Sequence, residues 1–440
     1  MEQLTLGLEK PDTTRLFDEV SALPILKLAF KKVKSNRGKP GPDGQTVEAF
    51  ALNEDANLEE LRAELIGWTY RPGPVRRVVI PKPDGGERLL GVPNVRDRIV
   101  QQAMKVILSG LYEPAFSDHS HGFRPGRSQR TALDEAQGYV REGKEWVVDL
   151  DLERFFDTVN HDRLIHLLRQ RVEDKRIIRL VGMTLRSGVW TEGVVEQQQE
   201  GQPQGSPMSP LLSNIILSEL DEELEKRGLR FVRYADDANI FVGSEKAAKR
   251  VLEKVTKFIE KELKLKVNRT KSQVALSRGV KFLGMTILSG GVMIISAGAM
   301  SRAKAKLREL VPRGGRGPLE SQIDAVNKWY RGWVGYYAMG EYPSQLKVIE
   351  ARARARFRLQ FVKNHKRKKH LLRKLCDRGM RKGTAFREVY TKNHGRWRLA
   401  HTMSVNQAWS IYWFNDQGLL TFSQEQRPHW RDLKAYPSLL

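Results

Sequence analysis

The sequence predicts an α+β fold centred on a split β-α-β unit, and three stretches carry that reading. Trp146-Val147-Val148-Asp149-Leu150-Asp151-Leu152 alternates apolar and acidic residues in the manner of a strand. Phe231-Val232-Arg233 and Asn239-Ile240-Phe241-Val242 are β-prone runs on either side of Tyr234-Ala235-Asp236-Asp237, which reads as the tip of a hairpin. After the hairpin, Ala247, Val251, Val255, Phe258, Ile259 and Leu263 recur with helical spacing, and strands are expected around Val274 and Phe282. Leu164, Leu167 and Leu168 mark a helix behind the first strand, so the order is strand, helix, hairpin, helix, strand.

The hairpin tip is chemically loaded. Two adjacent carboxylates repel each other, and something cationic must offset that cost. A strand delivering Asp151 beside Asp236 and Asp237 would complete a three-carboxylate set. Such a set suits a pair of Mg²⁺ ions about 3.5–4 Å apart, the arrangement used for in-line phosphoryl transfer. A solvated acidic turn is the plainer alternative, since Asp favours turns. The neighbouring blocks decide against it.

Those blocks run in order: Asp151-Leu-Glu-Arg-Phe-Phe-Asp157, then Gly201-Gln-Pro-Gln-Gly-Ser-Pro-Met-Ser-Pro210 with Leu211 and Asn214, then Tyr-Ala-Asp-Asp, then Lys281-Phe-Leu-Gly284. In this order and at these spacings the chain resembles a reverse transcriptase of the group II intron-encoded type. Gly41-Pro-Asp-Gly44, Val79 to Arg88, Gly91 to Gln102 and His121 to Ser128 are similar to the finger-side blocks of that family. Val326 to Tyr337 resembles its maturase or thumb segment, and Gly395-Arg-Trp-Arg-Leu399 with Asn406-Gln-Ala408 its short basic C-terminal domain. The resemblance implies a right-hand polymerase with fingers, palm and helical thumb plus a small basic C-terminal domain. The expected division is an N-terminal extension over 1–60, fingers and palm over 61–290, thumb and maturase domain over 291–379, and a DNA-binding-like domain over 380–440. Gly- and Pro-rich stretches at Asn36–Gly44 and Pro312–Pro318 punctuate the first and third of these.

Composition points the same way without reference to any family. Lys and Arg number 76 against 52 Asp and Glu, a net charge of +24, which is the footprint of a polyanion-binding protein. No apolar run approaches the roughly 20 residues that span a bilayer, so no membrane role is expected. Met1 to Val20 lacks a basic-plus-apolar leader, and a cytoplasmic compartment is expected. The single cysteine, Cys376, cannot form an intrachain disulfide and cannot supply the paired-cysteine metal site of an HNH endonuclease module. The chain therefore resembles the compact, endonuclease-lacking forms, which must obtain a primer elsewhere.

The resemblance also assigns roles. Asp151 and Asp236 would hold two Mg²⁺ ions, with the Leu152 carbonyl as a further ligand and Asp237 in support. Lys82 and Arg88, in a Pro- and Gly-rich finger hairpin, would neutralise the incoming deoxynucleoside triphosphate (dNTP), surface charge being the plainer reading of both. Phe156 would exclude a ribose 2′-hydroxyl, while Phe155 is the better core candidate. Gln204 would contact the nucleotide, and Gly205 would allow close backbone approach. Arg352, Arg356, Lys366, Arg367, Lys368 and Lys369 belong to a run from Ala351 to Lys374 without an acid, interleaved with Phe357, Leu359 and Phe361. That interleaving suggests a packed segment holding RNA or DNA phosphates. Trp329, Trp333 and Tyr336-Tyr337, at helical spacing, are expected in the thumb core.

The expected function is RNA-directed DNA polymerisation, together with binding of group II intron RNA to assist splicing and copying of that RNA from a target DNA primer. Two alternatives stand beside it: a domesticated reverse transcriptase in defence or repair, and an RNA-binding splicing cofactor with a degenerate polymerase site. A homodimer stays open.

Overall fold

The computed structural model describes residues 12–81, 86–191, 194–196, 200–202, 204–315, 317–391 and 395–421. The chain divides into two compact units between Leu276 and Ser277. Ten strands are described: β1 (Val75–Pro81), β2 (Glu87–Val92), β3 (Trp146–Leu150), β4 (Val189–Thr191), β5 (Val194–Glu196), β6 (Arg230–Tyr234), β7 (Asp237–Val242), β8 (Gln273–Leu276), β9 (Met285–Ile287) and β10 (Met293–Ile295).

The first unit is built around a four-stranded sheet in the order β6-β7-β3-β8, antiparallel throughout. This is the split β-α-β arrangement: β3 leads by way of helices to the β6–β7 hairpin, and the helix Glu245–Phe258 leads from β7 to β8 on the far side of β3. Ser244 caps that helix by accepting from the Ala247 amide. Its apolar stripe of Ala248, Val255 and, in the following turn, Ile259 and Leu263 is buried in the same core as Val148, Leu150 and Ile240 of the sheet. Each such fully buried Leu or Ile contributes about 1.5–3 kcal/mol. A second sheet, ordered β2-β1-β4-β5, combines the antiparallel β1–β2 and β4–β5 hairpins with a parallel β1–β4 pairing.

Helix Leu23–Ser35 packs against the long helix Val95–Tyr112 and helix Glu54–Ile66 against Leu23–Ser35, and Leu26, Phe30, Leu58, Leu61 and Ile99 share one core with the β3–β7 sheet. The connecting loop is tied to the start of the long helix, where Arg98 donates to the Lys39 carbonyl at 2.7 Å and the Asp43 amide donates to Asn94 at 3.3 Å. The stretch before residue 60 thus shares its packing with the long helix and the sheet, with no break at the expected 60/61 boundary.

The second unit opens with a β9–β10 hairpin, so the expected boundary at 290/291 falls inside a paired element. Val274 lies in β8, as the pattern suggested. Phe282 makes only an isolated bridge to Met285 in the second unit. Three long helices follow, Ala297–Leu310, Leu319–Tyr337 and Pro343–Asn364, and then five shorter ones from Lys368–Asp377 to Ile411–Asp416. Arg378 lies over the rings of Trp409 and Trp413, 5.2 and 4.7 Å from their centroids, and donates to the Ala408 carbonyl. Packing therefore runs unbroken across 379/380. Among the described residues no helix is long and apolar enough to cross a membrane.

Candidate active site

The β6–β7 hairpin closes through a two-residue turn, because Tyr234 pairs with Asp237 and leaves only Ala235 and Asp236 between them. Ala235 has φ +59°, a left-handed conformation that costs an ordinary residue about 1–2 kcal/mol. Next to β7 lies β3, with Leu150 opposite Ala238, so Asp151 emerges beside the turn one residue beyond the last paired position. The Asp151 backbone is clamped on both sides. Its amide donates to the Ser272 hydroxyl at 3.0 Å, and its carbonyl accepts from the Asn268 amide at 2.9 Å.

Electrostatics record how close these groups lie. The Asp236 carboxyl is pushed above the usual carboxylate range, chiefly by burial and then by the negative charge of Asp151, while Arg88 and Arg233 oppose the shift. Asp151 and Arg88 thus both act on the Asp236 carboxyl. Asp237 follows directly as the first residue of β7 and is exposed. All three expected carboxylates lie at or beside the turn, with Asp151 and Asp236 shown acting on each other. Among the described residues no three His, Cys, Asp or Glu side chains converge as a metal cluster.

The pair nonetheless fits divalent cations. Two like charges, one of them largely desolvated, are relieved by a positive ion between them. The Leu152 carbonyl is available as a third donor. Leu152 faces Val267 across an isolated antiparallel bridge whose hydrogen bonds are made by Glu153 with Lys266 and by Asn268 with Asp151, so Leu152 directs its own carbonyl away from that pairing.

Around this pair the nucleotide-side residues are arranged by backbone contacts. Phe155 is 2% exposed and belongs to the core. Phe156 is half-buried at the core margin, its ring edge-on to Phe155 at 5.3 Å. The Phe156 carbonyl accepts from the Gln202 amide at 2.7 Å, and His161, itself buried, bonds to the Gly201 carbonyl. The Gln204 carbonyl accepts from the Gly91 amide at 2.8 Å, which docks the turn onto β2. Gly205 has φ +107°, and a Cβ there would come 3.3 Å from the Gly91 carbonyl oxygen, so glycine is required for this approach. Arg88 is exposed on β2, paired with Ile80 across the hairpin. Lys82 lies outside the described residues.

In the second unit the basic run does not form one surface. Arg356 is 5% exposed, and its guanidinium donates to the Val311 carbonyl just past the end of helix Ala297–Leu310, with Nε at 2.9 Å. It is a helix-end clamp, which corrects its expected phosphate-binding role, and the reason is geometric: a buried guanidinium with its donors on main-chain carbonyls cannot reach a phosphate in solvent. Arg358 does the same to the Trp409 carbonyl. Arg352 is half-buried over the Trp397 ring, 4.4 Å from its centroid. Lys366, Arg367, Lys368 and Lys369 are all exposed, at the junction of helices Pro343–Asn364 and Lys368–Asp377. Trp329, Trp333 and Tyr337 form a half-buried ladder of rings with centroids 5.9 and 4.9 Å apart, beside the true core face of Ile323, Val326, Tyr330 and Val334. The expectation of a thumb-core cluster is corrected accordingly.

Sequence reasoning missed the residues that hold the hairpin itself: Arg233, fully buried, with Asp221 and Asn214 of helix Ser209–Lys226. The available signal was Arg233 on the strand before the acidic pair, together with Asn214 and Asp221 at i and i+7 on one helix face.

Comparison with known proteins agrees with this geometry. Residues 80–287 match the family described as reverse transcriptase (RNA-dependent DNA polymerase), and residues 300–378 match the group II intron maturase-specific domain. The chain is 34% identical over 288 residues to Protein YkfC of Escherichia coli, covering 57% of this chain and 76% of that protein. It is 35% identical over 225 residues to the group II intron-encoded protein LtrA of Lactococcus lactis, covering 50% of this chain and 37% of the relative. A Saccharomyces cerevisiae protein named as a putative COX1/OXI3 intron 2 protein is 32% identical over 333 residues, 62% of this chain and 39% of the relative. The match thus spans well under half the length of these two intron-encoded relatives. By its two matched domains and these relatives, the chain belongs to the group II intron reverse transcriptase and maturase family, RNA-directed DNA polymerases that act on nucleic acids with divalent metals.

Proposed function

We propose that the chain is a Mg²⁺-dependent RNA-directed DNA polymerase that binds group II intron RNA, assists its splicing, and copies it from a DNA primer by target-primed reverse transcription. The observation that carries this reading is the placement of Asp236 in the hairpin turn with Asp151 one residue beyond the β3–β7 pairing, Arg88 acting on the same Asp236 carboxylate. When bound there, two Mg²⁺ ions would lower the pKa of the primer 3′-hydroxyl and offset charge on the leaving pyrophosphate. Asp151, Asp236 and the Leu152 carbonyl would hold them. Ser272 and Asn268 keep Asp151 in register, Arg88 neutralises the incoming dNTP, Gln204 contacts it, and Phe156 closes the space a 2′-hydroxyl would need. Fingers and palm correspond to the region up to the end of β8, and the thumb and maturase functions to the helices beyond it.

Extension of a DNA primer on an RNA template tests the reading. With Mg²⁺ present the protein should synthesise DNA, and Asp236→Ala should lower the rate by at least ~100-fold, because loss of a group stabilising transition-state charge typically costs that much. Binding of intron RNA by the variant should stay within about threefold of wild type, since phosphate contacts and not this carboxylate supply it. Wild-type synthesis by the variant would sink the assignment.

A further inference from the structure

Arg233 is a fully buried arginine on the strand that leads into the carboxylate the reaction depends on, and all of its hydrogen bonds run to fixed partners. Its Nε and Nη2 form a fork on the Asp221 carboxylate at 2.7 and 2.5 Å. Its Nη1 donates to the Asn214 side-chain oxygen at 3.0 Å and to the Ala235 carbonyl at 2.9 Å. The Asn214 amide in turn donates to the Gly122 carbonyl at 2.9 Å. Gly122 is pressed against the turn so closely that a Cβ there would come within 2.2 Å of the Ala235 nitrogen. The strand-like segment carrying it is stitched to β6, with the Arg233 amide donating to the His119 carbonyl and the His121 amide to the Arg233 carbonyl.

A buried ion pair is weak evidence for stability, because desolvation of both charges offsets most of their attraction. Such a pair is better explained by what it fixes. Here the one main-chain group it grips is the carbonyl of Ala235, the left-handed residue whose conformation aims Asp236. Without that grip, a two-residue turn with an unfavourable alanine has lower-energy conformations to visit.

We propose that Arg233, Asp221 and Asn214 form a latch that sets the position of Asp236 by holding the Ala235 carbonyl, making Arg233 and Asn214 positioning residues for polymerisation. The latch joins three pieces of chain: helix Ser209–Lys226, the 119–122 segment and the hairpin. It rests on the reading of Asp151 and Asp236 as the metal-holding pair.

Primer extension by the full chain tests it, with Asn214→Ala as the main variant because it removes a neutral partner and strands no charge. A displacement of about 1 Å at a reacting centre costs on the order of 100-fold. The expected result is therefore a kcat lowered by ~10- to 100-fold, a dNTP KM within about threefold of wild type, and a higher Mg²⁺ concentration for half-maximal rate. Asn214→Asp, which keeps the acceptor for Arg233 but loses the donor to the Gly122 carbonyl, should recover only part of the loss. Arg233→Lys, which keeps the charge but not the fork, should recover none of it. An unchanged kcat and Mg²⁺ midpoint in Asn214→Ala would overturn the proposal. So would parallel loss of kcat, KM and thermal stability in both Asn214 variants, which would make the network scaffolding only. Wild-type protein and Asp236→Ala run alongside separate this outcome from failure of the polymerase reading itself: if Asp236→Ala polymerises normally, the site assignment has failed, whatever the latch does.

Discussion

Phe156 shows how one side chain can be read from its neighbours. Two adjacent phenylalanines leave open which one serves the core, and the structure separates them: Phe155 is buried, and Phe156 is half-buried at the core margin, with its carbonyl held by the Gln202 amide. A ring anchored through its own main chain and only partly committed to packing is free to wall a nucleotide sugar. Phe156→Ala should accordingly raise ribonucleotide use, with discrimination, taken as a ratio of kcat/KM values, falling by about 10-fold or more. An active variant with an unchanged ratio would make Phe156 a packing residue. The same scale shows what sequence reading overlooks. Asp236 lies in a two-residue turn and Asp237 opens β7, a division that the sequence alone does not reveal. Arg356 and Arg233 were harder, because their partners Val311 and Asp221 are remote in sequence or on another element, and nothing local announces that an arginine will be buried.

At the scale of elements, the palm was legible because β3, the hairpin and helix Glu245–Phe258 each carry their own periodicity. The clamp between the 119–121 segment and helix Gln129–Arg141 was not, since it depends on side chains meeting across the fold. Glu135 on that helix accepts from His119, His121 and the Tyr139 hydroxyl. Burial works against its charge, but these hydrogen bonds outweigh burial and hold its carboxyl down to about 2. The hydrogen bond that His119 donates to Glu135, opposed by burial and aided by the charges of Glu135, Glu225 and Asp118, raises His119. The signs define a window. A depressed carboxyl stabilises above its unfolded value and loses that contribution as pH falls through the folded one. A raised histidine stabilises below its unfolded value and loses its contribution as pH rises through the folded one. The clamp is strongest where Glu135 is ionised and His119 protonated, between about pH 4.5 and 6.5. Urea unfolding of wild type and Glu135→Gln should therefore differ most near about pH 5.5, and the gap should narrow toward about pH 3 and about pH 8. A gap independent of pH would show that the network contributes by packing alone.

For the whole molecule, charge is distributed by unit. Counted along the sequence, all but two of the twenty-four surplus positive charges fall from Ser277 onward, while the unit holding Asp151 and Asp236 is nearly neutral. Polyanion attraction is therefore concentrated in the second unit, and the exposed cluster Lys366, Arg367, Lys368 and Lys369 is its densest stretch, since Arg356 and Arg358 are spent on main-chain carbonyls. At the start of helix Lys368–Asp377 these cations face the positive end of the helix dipole with no acid in the first turn, a placement that an RNA phosphate would relieve. Neutralising all four to Gln should weaken intron RNA binding and flatten its salt dependence. Each lost phosphate contact changes the slope of log K against log salt by about 0.7–0.9. Splicing assistance at near-physiological Mg²⁺ should fall with it. Primer extension on a saturating short template should fall less, because the carboxylate pair belongs to the other unit. Both activities are to be measured on one preparation, and an unaltered salt slope with intact splicing would reduce the cluster to a solvated surface.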